Sequence, residues 1–263
     1  DIDHATRDLF NSIENKDFPS WSVYVQIMTP EEAKVYRFDP FDVTKVWSHK
    51  DYPLIPVGKM VLDRNPENYF SEVEQAAFSP GNLVPGIAVS PDKMLQGRVF
   101  SYPDTHRHRL GANFEMIPIN APKAMVSNYQ RDGAMNMQKH GAPNYYPNSF
   151  DGPQPNKKYA TPPIDVAGMA ARHEYQLGNI DFVQAGDLYG KVMSDYDQAN
   201  LVKNIAAHMG NAQRRIQLRQ TALFYKAHEE YGTRVASALG LDVDEVKKLA
   251  AMSQDERVKA TAK

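Results

Sequence analysis

Residues 112–178 place the strongest limit on how this 263-residue chain can fold. They carry little periodic signal and are rich in Pro, Asn, Gly and Tyr, as in HGAPNYYPNSFDGPQPNKKYATPP. A run of this length without regular structure is uncommon inside one compact domain. It is either disordered or a long arm folded against something else. Tyr145, Tyr146 and Phe150 supply apolar anchors, which favours the arm.

The two flanks differ in period. In WSVYVQIM, Trp21, Val23, Val25 and Ile27 share one face, and Ser22, Tyr24 and Gln26 share the other, the pattern of a half-buried strand. AKVYRF (33–38) and GKMVL (58–62) read as shorter strands. In NPENYFSEVEQAAF, Asn65 is placed to cap a helix with Pro66 at its first position, and Tyr69, Phe70, Val73, Ala76 and Ala77 form an apolar stripe. From about 182 to 255 the period is helical, with Leu201, Ile205, Met209, Ala212 and Ile216 recurring at spacings of four, four, three and four. Strands, an arm and a helical region, without regular strand–helix alternation, indicate an α+β protein.

The stretch RVFSYPDTHRHRLG (98–111) concentrates cations in a chain whose formal net charge is only -2. Ser90 and Pro91 can start a helix, and Asp92 suits its first turn. If that helix runs to about residue 110, Arg98, Tyr102, His106 and Arg109 fall within a stripe of roughly 80°, at about 100° per residue. Pro103 argues for a kink, because it removes the donor for the Val99 carbonyl. A guanidinium one turn from a phenol favours the phenolate by charge and hydrogen bonding. Spacing alone leaves two other readings open: a solvated basic face, or a surface for phosphate or nucleic acid. The even overall charge gives no general reason to expect nucleic acid as partner. There are no cysteines, which excludes disulfides and thiol chemistry. No apolar run is long enough for a bilayer span, and no secretory signal or terminal S-K-L is present. The chain starts at Asp1, within what reads as a helix, so it is expected to be a fragment.

RVFSYPDTHRHRLG resembles the proximal haem-ligand motif of the haem catalases. Its flanks resemble the same family: FSPGNLVPGIAVSPDKMLQG before it, ANFEMIPINAPKA and GAPNYYPNSF after it. FDPFDVTKVWSHKDYPLIPVGKMVLDRNPENYFSEVEQAAF is similar to the family's barrel end and crossing helix. The likeness is dense over roughly 5–150 and looser over 180–250. It implies the second half of an antiparallel β-barrel over 1–65, a wrapping segment carrying the proximal helix (about 90–110) over 66–178, and a C-terminal helical domain over 179–263.

The implied activity is decomposition of hydrogen peroxide to water and oxygen on haem b, a ferric cofactor. Tyrosinate as axial haem ligand is the arrangement known in catalases. The resemblance makes Tyr102 the iron ligand, Arg98 the residue that keeps it phenolate, and Asp92 an acid in a charge network reaching Arg98. It gives Arg109 a haem propionate, lines the haem pocket with Phe78 and Met94, and sets His106 beside the haem. The small-subunit type of the family implies NADPH, held by Val46, Trp47 and His49 of KVWSH and by Gln184, Leu188 and Val192. Leu188 departs from the aromatic residue that relatives can carry, which puts one NADPH contact in doubt. The distal histidine and asparagine of the family have no counterpart here. The implied partners are therefore hydrogen peroxide, the N-terminal half of the same catalase and a homotetramer, with neither nucleic acid nor membrane. Bacterial cytoplasm is the expected location, with periplasm and peroxisome open. A catalase-like hydroperoxide isomerase and a non-enzymatic anion-binding domain are the alternatives, since the distal pocket that would distinguish the first lies outside this sequence.

Overall fold

The computed structural model describes residues 2–124, 143–151, 154–161, 163, 168–169, 171–172 and 178–262. The chain divides into two compact units, Asp1–Gly168 and Met169–Lys263. Much of the expected arm lies outside the described residues. Its three aromatic anchors are described, and Tyr145, Tyr146 and Phe150 are all exposed.

In the first unit, helix α1 (His4–Glu14) leads into strand β1 (Ser20–Val25), which pairs antiparallel with β2 (Ile55–Val61). The register runs from Ser20 opposite Val61 to Val25 opposite Ile55, with a shift between Val23 and Tyr24. GKMVL is thus the end of a longer strand. The expected half-burial of β1 is not met within this chain, because every residue of both strands is exposed. A two-stranded ribbon has nothing on either side to cover its faces.

AKVYRF is not a strand. Residues Pro30–Val35 form helix α2. Thr29 Oγ1 accepts from Glu32 N at 3.2 Å, Glu32 Oε2 accepts from Thr29 N at 2.7 Å, and Pro30 opens the first turn. This reciprocal cap satisfies two orphan donors and outweighs the β-propensity of the Val-Tyr pair. The loop that follows packs Phe38, 4% exposed, beneath Tyr36, and Tyr36 meets Tyr52 edge-on. Gln26 closes this loop by donating to the carbonyls of Trp47 and Tyr52.

Asn65 does not cap a helix either. Its amide donates to Phe10 O at 3.1 Å and Glu14 Oε1 at 2.8 Å, tying α1 to the chain after β2. The turn of π-helix that follows, Phe70–Glu74, is held from its own side: Glu72 Oε2 accepts from Glu67 N and Asn68 N. Of the expected stripe only Ala77 is buried, while Tyr69 and Phe70 stand in solvent.

The long helix α3 spans Lys93–Leu110. It starts two residues later than the sequence suggests, because Asp92 rather than Ser90 is the cap, accepting from Leu95 N at 2.6 Å. Pro103 sits inside it without interrupting it, and Gly111, at φ 110°, ends it.

The second unit is helical throughout its regular part. Helix α4 (Ile180–Asp187) continues into a π-helical turn, Leu188–Val192, followed by α5 (Asp195–Met209), α6 (Arg214–Ala227), α7 (Glu229–Ala238), α8 (Val243–Ala251) and α9 (Gln254–Ala260). The stripe Leu201–Ile216, a single series by its spacing, is two helices: α5 stops at Met209, and Gln217 of α6 caps it by donating to Met209 O and Gly210 O. Helix α6 is the centre of the packing, against α7, α8 and α4. The core comprises Leu218, Ala222, Ala236, Leu241, Val246, Leu249 and Ala250.

Candidate functional site

The candidate site is built on α3 and on residues 74–78, which lie against it. Arg109, on the last turn, donates from Nη1 to Glu74 O at 2.5 Å and from Nη2 to Ala76 O at 2.8 Å. One turn earlier, His106 is buried at 7% exposure, with Nε2 2.8 Å from Phe78 O and Nδ1 3.2 Å from Arg109 Nη2. A carbonyl can only accept, so Nε2 carries the proton and Nδ1 accepts from the guanidinium. The ring also packs on Phe114, which is 2% exposed. Both nitrogens of His106 are therefore engaged within the protein.

Asn120 closes the same knot from the far side. It accepts from Ala77 N at 2.8 Å and donates to Gln75 O at 2.9 Å and Phe114 O at 3.0 Å. Sequence reasoning does not single out this residue. An isolated Asn in INAPK has no periodicity or motif to mark it, and two of its three partners lie more than 40 positions away.

Above His106 the face opens. Tyr102 is partly exposed and meets the His106 ring edge-on at 6.2 Å. Arg98, one turn before it, donates from Nη2 to the Tyr102 hydroxyl at 3.4 Å, and its guanidinium carbon lies 5.3 Å from the ring centroid. Met94, a further turn back, is 63% exposed, and Phe78 is 84% exposed although its carbonyl is bound by His106. Two large apolar side chains are thus left uncovered close in sequence or bonding to a phenol held by a cation. Asp92 Oδ2 serves as the helix cap, accepting from Leu95 N.

This donor set fits a haem. A planar apolar ligand can cover exposed Met94 and Phe78, a phenol oxygen beside a guanidinium suits ferric iron, and Arg109 keeps two of its five N–H donors for a carboxylate. Among the described residues, no group of three His, Cys, Asp or Glu could hold a metal ion.

The residues expected at NADPH fall in both units. In the first, Trp47 is half-buried, its indole N–H donates to Pro40 O at 3.2 Å and its ring tilts against Tyr52, while Val46 and His49 are exposed. In the second, Gln184 is on α4, and Leu188 and Val192, 54% and 73% exposed, are on the π-helical turn. Insertions of this kind recur at functional sites.

The family model for catalase matches residues 1–152, more than half of the chain. The chain belongs to the catalase family. A second model, described as catalase-related immune-responsive, matches residues 178–239. The catalase of Methanosarcina barkeri (strain Fusaro / DSM 804) is 61% identical over 99% of this chain and 52% of its own length. Catalase-A of Dictyostelium discoideum is 56% identical, over 96% of this chain and 52% of the relative. A solved fungal catalase superposes with a TM-score of 0.77 at 43% identity, covering 90% of this chain and 49% of that one. This catalase-family chain therefore spans about half the length of the curated relatives it matches. Its described residues, mostly helical with one small sheet among them, fit the catalase fold. Among the described residues no helix is long and apolar enough to cross a membrane.

Proposed function

We propose that this chain supplies the proximal side of a haem catalase that decomposes hydrogen peroxide to water and oxygen. The observation that carries the proposal is the Arg98 Nη2 to Tyr102 hydroxyl contact on α3, in a chain of the catalase family. When bound, haem would supply the ferric iron at which two molecules of peroxide become two of water and one of oxygen. Tyr102 would ligate that iron as phenolate, and Arg98 would hold the phenolate by charge and hydrogen bond. Arg109 would direct its two remaining N–H donors to a propionate. Phe78 and Met94 would cover the porphyrin, excluding water from the ligand oxygen.

His106, with both nitrogens engaged, is a positioning residue in this reading: it fixes α3 on residues 74–78 and so sets the height of Tyr102. Asp92 acts at one remove, through the helix cap. Proton transfer to and from peroxide falls to residues outside this chain, in the N-terminal half of the same catalase. That half would also complete the barrel over the uncovered β1–β2 hairpin. The described parts of 66–178 belong to a wrapping segment that brings subunits into a homotetramer, and its exposed aromatics Tyr145, Tyr146 and Phe150 are its anchors. NADPH is proposed as a ligand of each unit's residues taken separately, Val46, Trp47 and His49 in the first and Gln184, Leu188 and Val192 in the second, of which Val46, Leu188 and Val192 offer exposed apolar surface.

The test is the absorption spectrum of the complete protein. Tyr102→Phe is expected to lose haem or shift the Soret band, with loss of turnover. Arg98→Ala, which removes the nearest cation, is expected to retain haem with an altered ferric spectrum. A Tyr102→Phe protein with normal haem content, spectrum and peroxide turnover would overturn the assignment.

A further inference from the structure

The groove between α6 and α9 is not used by the haem reading, and both helices present a matched stripe to it. Ile216, Arg219, Gln220 and Leu223 sit at i, i+3, i+4 and i+7 on α6; Gln254, Arg257 and Val258 sit at i, i+3 and i+4 on α9. Together they line a cavity of about 240 Å3. Pockets for drug-sized ligands span roughly 300–1,000 Å3, so this one suits something smaller.

Two guanidiniums border the cavity. Arg257 is 6% exposed; its Nε donates to Leu249 O and its Nη2 to Met252 O, closing the end of α8. Arg219 donates from Nε to Thr261 Oγ1 at 2.6 Å and from Nη2 to the carbonyls of Val258 and Thr261, closing the end of α9. Helix-terminal carbonyls carry only partial negative charge. Neither arginine has a carboxylate within ion-pair distance among the described residues, although Arg214, on the same helix, finds Glu245. Burial pushes Arg257 down from the usual guanidinium range, and no neighbouring acid opposes that effect. A buried guanidinium is expected to be paired, and this one is not. The apolar part of the wall is Ile216 and Val258, each 43% exposed, with Leu223, and Gln220 and Gln254 complete the lining.

We propose that this groove binds a small carboxylate carried on an apolar chain, of the medium-chain fatty-acid class. The carboxylate meets Arg219 and Arg257, and the chain covers Ile216, Leu223 and Val258. Gln220 and Gln254 offer further donors at the rim. A bare inorganic anion leaves the apolar wall uncovered, and a neutral chain leaves the guanidiniums unpaired, so the site selects for both features at once.

Calorimetric titration of the complete protein with octanoate tests this, with octanamide as the uncharged match. Octanoate is expected to bind saturably, and octanamide about tenfold more weakly, the size of one lost charge-assisted hydrogen bond. Arg219→Gln and, separately, Gln220→Glu, which places a negative charge in the groove, are each expected to weaken octanoate by about fivefold or more with an unchanged circular dichroism spectrum. Absence of saturable binding, equal affinity for octanamide, or unchanged affinity in both folded variants would overturn the proposal. None of these readings depends on haem.

Discussion

Gly232 lies on α7 where that helix crosses α6, and a Cβ there would collide with Cα and Cβ of Tyr225. The obstacle includes backbone, so it cannot rotate away. Gly232→Ala should cost about 1–3 kcal/mol of stability, read as a lower midpoint in urea denaturation of the chain. Glu72 acts through charge instead. The backbone N–H groups of Asn68 and Glu67 hold its carboxyl below the usual range. As pH falls, the unfolded chain takes up this proton before the folded one does. The stabilisation is therefore complete above the ordinary carboxylate pKa, and is lost as pH drops through the lower folded value. Glu72→Gln should flatten the acid limb of the melting temperature between pH 7 and about 3, compared with the parent in the same buffers. Neither role is legible in the sequence. A glycine in a helix gives no sign of the neighbour that crosses it, and Glu72 reads as one more surface acid.

Helix α3 is the most legible element, and the reason is local. Its Asp cap, its 3.6-residue spacing and its terminal glycine all lie within the segment itself, so the segment alone is enough to place Arg98, Tyr102, His106 and Arg109 on one face. Its start is ambiguous because two adjacent residue pairs, Ser90-Pro91 and Asp92-Lys93, are both competent to begin a helix. The surroundings of α3 are not legible. The carbonyls that Arg109 and His106 seek, and the Asn120 amide that pins residues 75 and 77, depend on contacts across the chain. AKVYRF misleads for a related reason: the Thr29–Glu32 box preceding it is present in the sequence but overshadowed by a β-branched, aromatic pair. Asn120→Ala, which leaves Ala77 N and the Gln75 carbonyl without partners, should destabilise the first unit by about 1–3 kcal/mol. It should also loosen the seat of α3, and comparing haem retention of the complete Asn120→Ala protein with Asn120→Asp, which keeps the acceptor for Ala77, separates that effect from general destabilisation.

Taken whole, the chain buries its apolar surface unevenly. The helical unit has a closed core, whereas the first unit leaves Trp21, Val23, Val25, Ile55, Val57 and Met60 at 40–57% exposure on its single hairpin. Alternation along WSVYVQIM marks a face meant for burial, but a pattern cannot say which chain supplies the cover. Exposed strand edges and apolar faces of this kind drive association. The chain produced alone should bind a hydrophobic dye such as ANS strongly and form oligomers that grow with concentration. Adding the separately produced N-terminal portion of the catalase should reduce the dye signal. A dye signal unchanged by that portion would count against the hairpin as the surface it covers.

The seat of α3 joins side chains on one side to main chain on the other. Arg109 and His106 reach the carbonyls of Glu74, Ala76 and Phe78, and Asn120 reaches the carbonyl of Gln75 and the N–H of Ala77. Every one of those anchor points on 74–78 is main chain, which all amino acids share apart from the N–H that proline lacks. The recognition is thus written on one side only. A saturation library should tolerate wide variety at 74, 75 and 76 and almost none at 106, 109 and 120, so two neighbouring surfaces in tight contact would carry very unequal amounts of genetic information.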